Sequence, residues 1–70
     1  MDYAKIDLDK IVNYIAGKGG TCLVEEILEH SGAERLRVYP LLKRMEINET
    51  VEVIERDWFG CPLVVRIRES

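Results

Sequence analysis

The C-terminal third of the chain constrains the fold most, because two β-prone runs there flank a single turn. The runs are residues 51–55, V-E-V-I-E, and residues 63–67, L-V-V-R-I. Gly60 and Pro62 lie between them, and both residue types are typical of turns. Such runs, rich in β-branched residues and bounded by turn residues, predict a β-hairpin.

The valines of the two runs also predict how the strands pair. If those at 51, 53 and 65 share one buried face, Val53 must lie opposite Val65, since a shift of one residue would expose them. The same register places Glu52 opposite Arg66, a favourable pair of opposite charges across two strands. It also places Ile54 opposite Val64 on the outer face.

Three helical segments precede the hairpin. The first has an apolar stripe at helical spacing, for which Asp7 is the expected N-terminal cap and Gly17 the expected end. The pattern leaves open whether this helix extends back to Tyr3. Its stripe consists of Leu8, Ile11, Val12 and Ile15.

A short β-prone piece, residues 21–23, follows two glycines and leads into the second helix. Residues 24–32, V-E-E-I-L-E-H-S-G, place apolar residues on one face and acids opposite them. Acids near its start favour the helix dipole, and Gly32 is a good stop signal.

The third helical segment, residues 33–47, contains a proline. Val38, Leu42 and Met45 recur at helical spacing, which predicts their burial. Pro40 is tolerated in a first helical turn but is costly further inside a helix. We therefore expect the regular helix to begin near residue 36 or 37, and Asn48 to end it in the left-handed conformation.

Length and composition indicate one small domain spanning residues 1–70. The chain has an ordinary globular share of apolar residues and a net charge of −3. No apolar run approaches the roughly 20 residues of a membrane span, and the N-terminus lacks the pattern of a secretory signal, so we expect a cytoplasmic protein without membrane partners.

Catalysis and metal binding are not expected. Cys22, Cys61 and His30 are too few for a usual zinc site, and they form no catalytic set with suitable spacing. The glycine-rich G-K-G-G segment lacks the spacing of a phosphate-binding loop. We predict no enzyme activity, no metal, no cofactor and no small-molecule ligand, and expect the cysteines to remain thiols.

In the order of its elements the chain resembles the winged helix-turn-helix superfamily. The resemblance rests on L-V-E-E-I-L-E-H-S-G-A-E-R-L-R-V-Y-P-L-L-K-R-M as the helix-turn-helix and on V-E-V-I-E-R-D-W-F-G-C-P-L-V-V-R-I as the wing. It implies an α+β fold with three helices, a short strand between helices 1 and 2, and a C-terminal two-stranded hairpin as the wing.

The resemblance further implies a transcriptional regulator that binds double-stranded DNA as a dimer, through helix 3 and the wing. Residues 33–47 carry four bases against two acids, which suits phosphate contacts. The candidate DNA contacts are Arg35, Arg37, Tyr39, Lys43, Arg44 and Arg56. The alternative is that the arginines on the flank of helix 3 pair with nearby acids and stay in solvent.

The wing departs from the family pattern at its tip, where Trp58 and Phe59 stand beside Asp57 and a basic residue is replaced by Cys61. One ring could fold back and complete the core, or the pair could stack on bases. Alternatively, the two rings form a dimerisation or partner surface together with Ile54 and Val64. The alternative function is therefore a winged-helix protein-interaction module, with the basic residues of helix 3 free of DNA.

Overall fold

The computed structural model describes residues 2–68, which form three helices and a three-stranded antiparallel sheet. The predicted α+β class with three helices is confirmed. The elements in chain order are α1 (Tyr3–Gly17), β1 (Thr21–Leu23), α2 (Val24–His30), α3 (Arg35–Ile47), β2 (Val51–Arg56) and β3 (Pro62–Ile67).

The short strand β1 joins the C-terminal hairpin, so the sheet order is β1-β3-β2. Cys22 pairs with Val65 in the centre of β3, and Val65 pairs on its other side with Val53. The predicted hairpin register is therefore confirmed, including Glu52 opposite Arg66, whose charged groups lie 3.0 Å apart. The strands of the hairpin are two members of a three-stranded sheet.

One part of the predicted register is wrong. Val64 lies opposite Glu55, and not opposite Ile54, because the pairing shifts between Val53 and Glu55. A β-bulge of this kind adds one residue to one strand, and a second irregularity between Glu55 and Arg56 restores the register, so that Arg56 lies opposite Pro62.

The two residues predicted to cap helix ends, Asp7 and Asn48, do not have those roles. α1 begins at Tyr3, with the Asp2 side chain accepting a hydrogen bond from the Lys5 backbone N–H, so Asp7 lies inside the helix and does not cap its start. At the end of α3 the left-handed residue is Glu49, at φ 61°, and Asn48 has φ −81°. The helix itself ends at Ile47, as predicted, and the Thr50 N–H donates to the Met45 carbonyl at 2.7 Å in the turn that follows.

α3 begins at Arg35, one residue earlier than expected, so Pro40 lies in its second turn. A proline there cannot donate the helical hydrogen bond to the carbonyl of Leu36. Both residues are exposed. Water can therefore satisfy that carbonyl, which is why the helix continues through the proline.

All six elements contribute to one core. Its largest fully buried side chains are Ile11, Ile15, Val24, Ile27, Val38, Leu42, Met45, Val51 and Val65. The three inward residues predicted for α3 are thus confirmed, and Leu41 joins them. With these side chains inside, the opposite face of α3 is turned to solvent.

An ion pair ties α1 to α3. Arg37 Nη1 lies 2.7 Å from Asp7 Oδ2, and the Asp7 side chain is only 7% exposed. The hydrogen bond from Arg37 holds the pKa of Asp7 below its ordinary value of 3.8, although burial opposes the shift. The same bond raises the pKa of Arg37.

The Asp7–Arg37 pair predicts a specific acid sensitivity. Because the pKa of Asp7 is lower in the folded chain than in the unfolded chain, the pair stabilises fully above the unfolded pKa and loses this effect as pH falls through the folded pKa. Asp7→Asn has no such titration. We expect the Tm of the wild type to fall more than that of Asp7→Asn between about pH 5 and about pH 2. Thermal unfolding followed by circular dichroism measures this, and parallel losses in the two proteins would contradict it.

Candidate interaction surface

The solvent face of α3 carries an apolar row. Leu36 is 85% exposed and Ile47 is 70% exposed, and the exposed Pro40 lies between them on the same side of the helix. Large apolar side chains with this degree of exposure contribute nothing to the core. α3 therefore has two apolar stripes, one buried in the core and one exposed to solvent.

Cations flank this row. Arg35, Lys43 and Arg44 are exposed, and none of them has an ion-pair partner within residues 2–68. Arg44 lies beside Leu36 and Pro40, where these residues line a groove of about 220 Å³ between α1 and α3. Lys43 lies on the outward face between Pro40 and Ile47, on the side of the row towards the hairpin turn.

The other two predicted basic contacts already have partners in the chain. Arg37 binds Asp7, and its guanidinium lies 5.5 Å from the centre of the Tyr3 ring. Arg56 binds the Glu46 carboxylate of α3 and donates to the Gly60 carbonyl at 2.9 Å. The nearby carboxylates partly neutralise both guanidiniums, which weakens the electrostatic attraction that either can exert on a phosphate.

Asp57 organises the hairpin turn. Its Oδ1 accepts hydrogen bonds from the backbone N–H groups of Phe59 and Cys61, each at 2.9 Å. The Gly60 N–H donates to the Asp57 carbonyl at 3.1 Å, and Gly60 has φ 84°, which a residue without Cβ adopts at no steric cost. The turn is thus fixed by its own hydrogen bonds, independently of the aromatic side chains.

Trp58 and Phe59 project from this turn into solvent. They are 97% and 88% exposed, and their rings stack with centroids 6.4 Å apart and planes inclined by 21°. The interpretation in which one ring folds back onto the core is therefore wrong. The hydrogen-bonded turn holds its backbone without any contribution from the rings.

The turn and α3 form one continuous surface. Tyr39 and Lys43 of α3 line a groove of about 310 Å³ together with Phe59 and Cys61 of the turn. We call the outward faces of α3 and the turn the α3–turn surface. It comprises Leu36, Tyr39, Pro40, Lys43, Arg44, Ile47, Trp58 and Phe59.

Ile54 and Val64, predicted to extend the aromatic patch, do not form one strip. Ile54 is 48% exposed on β2, whereas Val64 is half-buried. Val64 lines a groove between α2 and β3 with Leu23 and Leu63, and Tyr39 of α3 lines the same groove. Ile47 was not among the residues predicted for an interaction surface, although it lies eleven residues after Leu36, a spacing that places both on one face of a helix.

The two cysteines occupy different environments, and both are free thiols. Burial raises the pKa of Cys22 to about 11, and the nearby Glu26 carboxylate adds to the shift. Cys61 is exposed at the edge of the turn. His30 lies at the end of α2, with Nε2 3.7 Å from the Glu29 carboxylate.

Other site types find little support. Within residues 2–68, no group of three or more His, Cys, Asp or Glu side chains is placed to hold a metal ion. No helix in that part of the chain combines the length and apolar character needed to cross a bilayer. Comparison with protein-family models, curated proteins and solved structures gives no match.

The contrast between the cysteines predicts selective alkylation. The reactive species is the thiolate, and at pH 8 Cys22 is almost entirely protonated and buried. We expect a maleimide or disulfide reagent to modify one thiol per folded chain at Cys61, and a second only after unfolding. Mass spectrometry of the Cys61→Ser variant supplies the control, since it should remain unmodified while folded. Rapid labelling of Cys22 in the native protein would contradict its burial.

Proposed function

We propose that this chain is a winged-helix protein-interaction module that binds a partner protein through the α3–turn surface. The main observation behind this proposal is the exposed apolar row of α3, which lies beside an aromatic turn whose backbone is held by hydrogen bonds. Neither the row nor the aromatic rings contribute to the core. The winged-helix part of the proposal is supported by the chain order of the elements and by the position of β1 beside β3. Fold alone does not define function, so the proposal depends on the surface.

The size of the exposed apolar area favours binding. Trp and Phe side chains each bury about 150–250 Å² when covered. Together they match the roughly 300–600 Å² of the largest apolar patch on a typical monomer, and such patches often mark interaction sites. Leu36 and Ile47 add to that area. A surface of this kind exposed to water favours association.

The residue types also favour a protein partner. Trp, Tyr and Arg dominate the binding energy of protein–protein interfaces, and the α3–turn surface contains Trp58, Tyr39 and Arg44. A rigid turn lowers the entropy lost on binding, because the Asp57 hydrogen bonds already hold the backbone.

We expect partner binding to depend on two separate parts of this surface. The wild-type chain is immobilised and used to capture proteins from a lysate of the source organism, and bound proteins are quantified by mass spectrometry. Trp58→Ala and Leu36→Gln should each reduce recovery of the same partner about tenfold, as loss of an interface anchor does. Ile6→Gln is the matched control, because Ile6 is also exposed but lies on α1 and lines neither groove of the α3–turn surface. A partner set that is unchanged in both test variants would refute the proposal.

DNA binding is the second candidate, favoured by the exposed cations Arg35, Lys43 and Arg44. In this case α3 would enter the major groove and a dimer would supply two half-sites, as the resemblance implies. The net charge of −3 and the acidic Asp57 of the turn oppose it. The apolar row would then face a groove and phosphates that offer it few apolar contacts.

A salt series distinguishes this candidate. Three phosphate contacts give a slope of about −2.7 in log affinity against log salt, or about 40-fold weaker binding between 50 and 200 mM salt. Fluorescence anisotropy with random-sequence duplex DNA measures the slope, and Arg44→Gln should reduce it by about one third. Absence of binding at 50 mM salt would exclude DNA as the ligand of this surface.

A further inference from the structure

We infer that the α3–turn surface accepts an acidic amphipathic helix of a partner protein, an inference that rests on the protein-interaction function proposed above. The apolar row defines the shape of the occupant. Leu36 and Ile47 are eleven residues apart, so the row extends about 16 Å along α3. A partner helix lying along it would place apolar residues at intervals of three and four, as in helix-in-groove complexes.

The charges beside the row indicate which side chains a partner helix would carry along its two flanks. Arg44 borders the row on the side of α1, together with the half-exposed guanidinium of Arg37. Lys43 borders it on the side of the turn, where it lines the groove with Phe59. Arg35 adds a further positive charge at the start of α3. Carboxylates on both sides of a leucine row would therefore meet unpaired cations.

No acid of α3 neutralises these cations within residues 2–68. The one carboxylate inside α3, Glu46, is bound by Arg56. Glu34, just before the helix, accepts a hydrogen bond from the Leu36 backbone N–H. An acidic partner would thus gain charge pairs without displacing an internal one at Lys43 or Arg44.

A second copy of the chain fits this description poorly. Its most acidic helix, α2, has seven residues, and its Val24 and Ile27 are buried in the core. α2 therefore cannot present an apolar row together with its acids. DNA supplies negative charge but no apolar row to cover Leu36 and Ile47. A helix from a different protein satisfies both requirements.

The test uses a fluorescent peptide of about 18 residues, long enough to form a helix on binding, with leucines on one face and glutamates on both flanks. Two matched peptides accompany it. One has the leucines scrambled so that no apolar face forms, and the other has every glutamate replaced by glutamine. Anisotropy titrations against the wild-type chain should show the tightest binding for the first peptide, by about tenfold over either control.

Variants of the chain locate the binding. Leu36→Gln and Arg44→Gln should each weaken binding of the acidic amphipathic peptide about tenfold. Ile6→Gln and Arg68→Gln are the matched controls, since they remove an exposed aliphatic side chain and an exposed cation elsewhere, and should change affinity by less than about twofold. Circular dichroism shows whether each variant is folded.

Several results would overturn the inference. Equal binding of the scrambled peptide would mean that charge alone is recognised. Insensitivity to Leu36→Gln would place the peptide elsewhere, and duplex DNA that binds more tightly than the peptide, regardless of Leu36, would assign the surface to DNA. If no peptide binds while lysate capture still depends on Leu36 and Trp58, the inference fails and the proposed function stands. If both experiments fail, the surface is not a protein-docking site.

Discussion

The structure depends on one constraint, which is that a chain of 70 residues has one small core and α3 can give only one face to it. Val38 and Met45 pack inward against the other helices and the sheet, and this fixes the rotation of α3. Leu36 and Ile47 then lie on the opposite face and cannot be buried by the same chain. The exposed row is therefore a consequence of how the core is filled, and the aromatic turn beside it extends the same surface.

The Asp7–Arg37 pair links this core to the candidate surface. The buried carboxylate of Asp7 fixes a guanidinium at the border of the apolar row, and joins α1 to α3 across the edge of the core. The Arg56–Glu46 pair likewise joins the start of the turn to α3. The two pairs hold the parts of the surface in fixed relation and leave Arg44 and Lys43 as its available charges.

Much of the fold could be predicted from sequence because its patterns are local. The register of the hairpin follows from alternating valines, and the inward face of α3 follows from helical spacing. The bulge after Val53 could not be predicted, since it depends on how β2 curves in the sheet. The burial of Asp7 could have been inferred, because Asp7 lies four residues before Ile11 on the same face of α1. Its pairing with Arg37, thirty residues away, could not, because it depends on how α1 packs against α3. Exposure of Trp58 depends on the hydrogen bonds of one turn, which composition does not specify.

The proposed function requires the α3–turn surface to be open in the free protein and available to a partner. Trp58 is the only tryptophan, so its fluorescence reports on this surface without labelling. The most direct measurement is acrylamide quenching of the purified chain over a wide concentration range. We expect emission and quenching like those of a free tryptophan derivative in water, at every concentration at which the chain is monomeric. A blue-shifted, protected tryptophan in the dilute monomer would mean that the ring is covered by its own chain, and would contradict an open α3–turn surface.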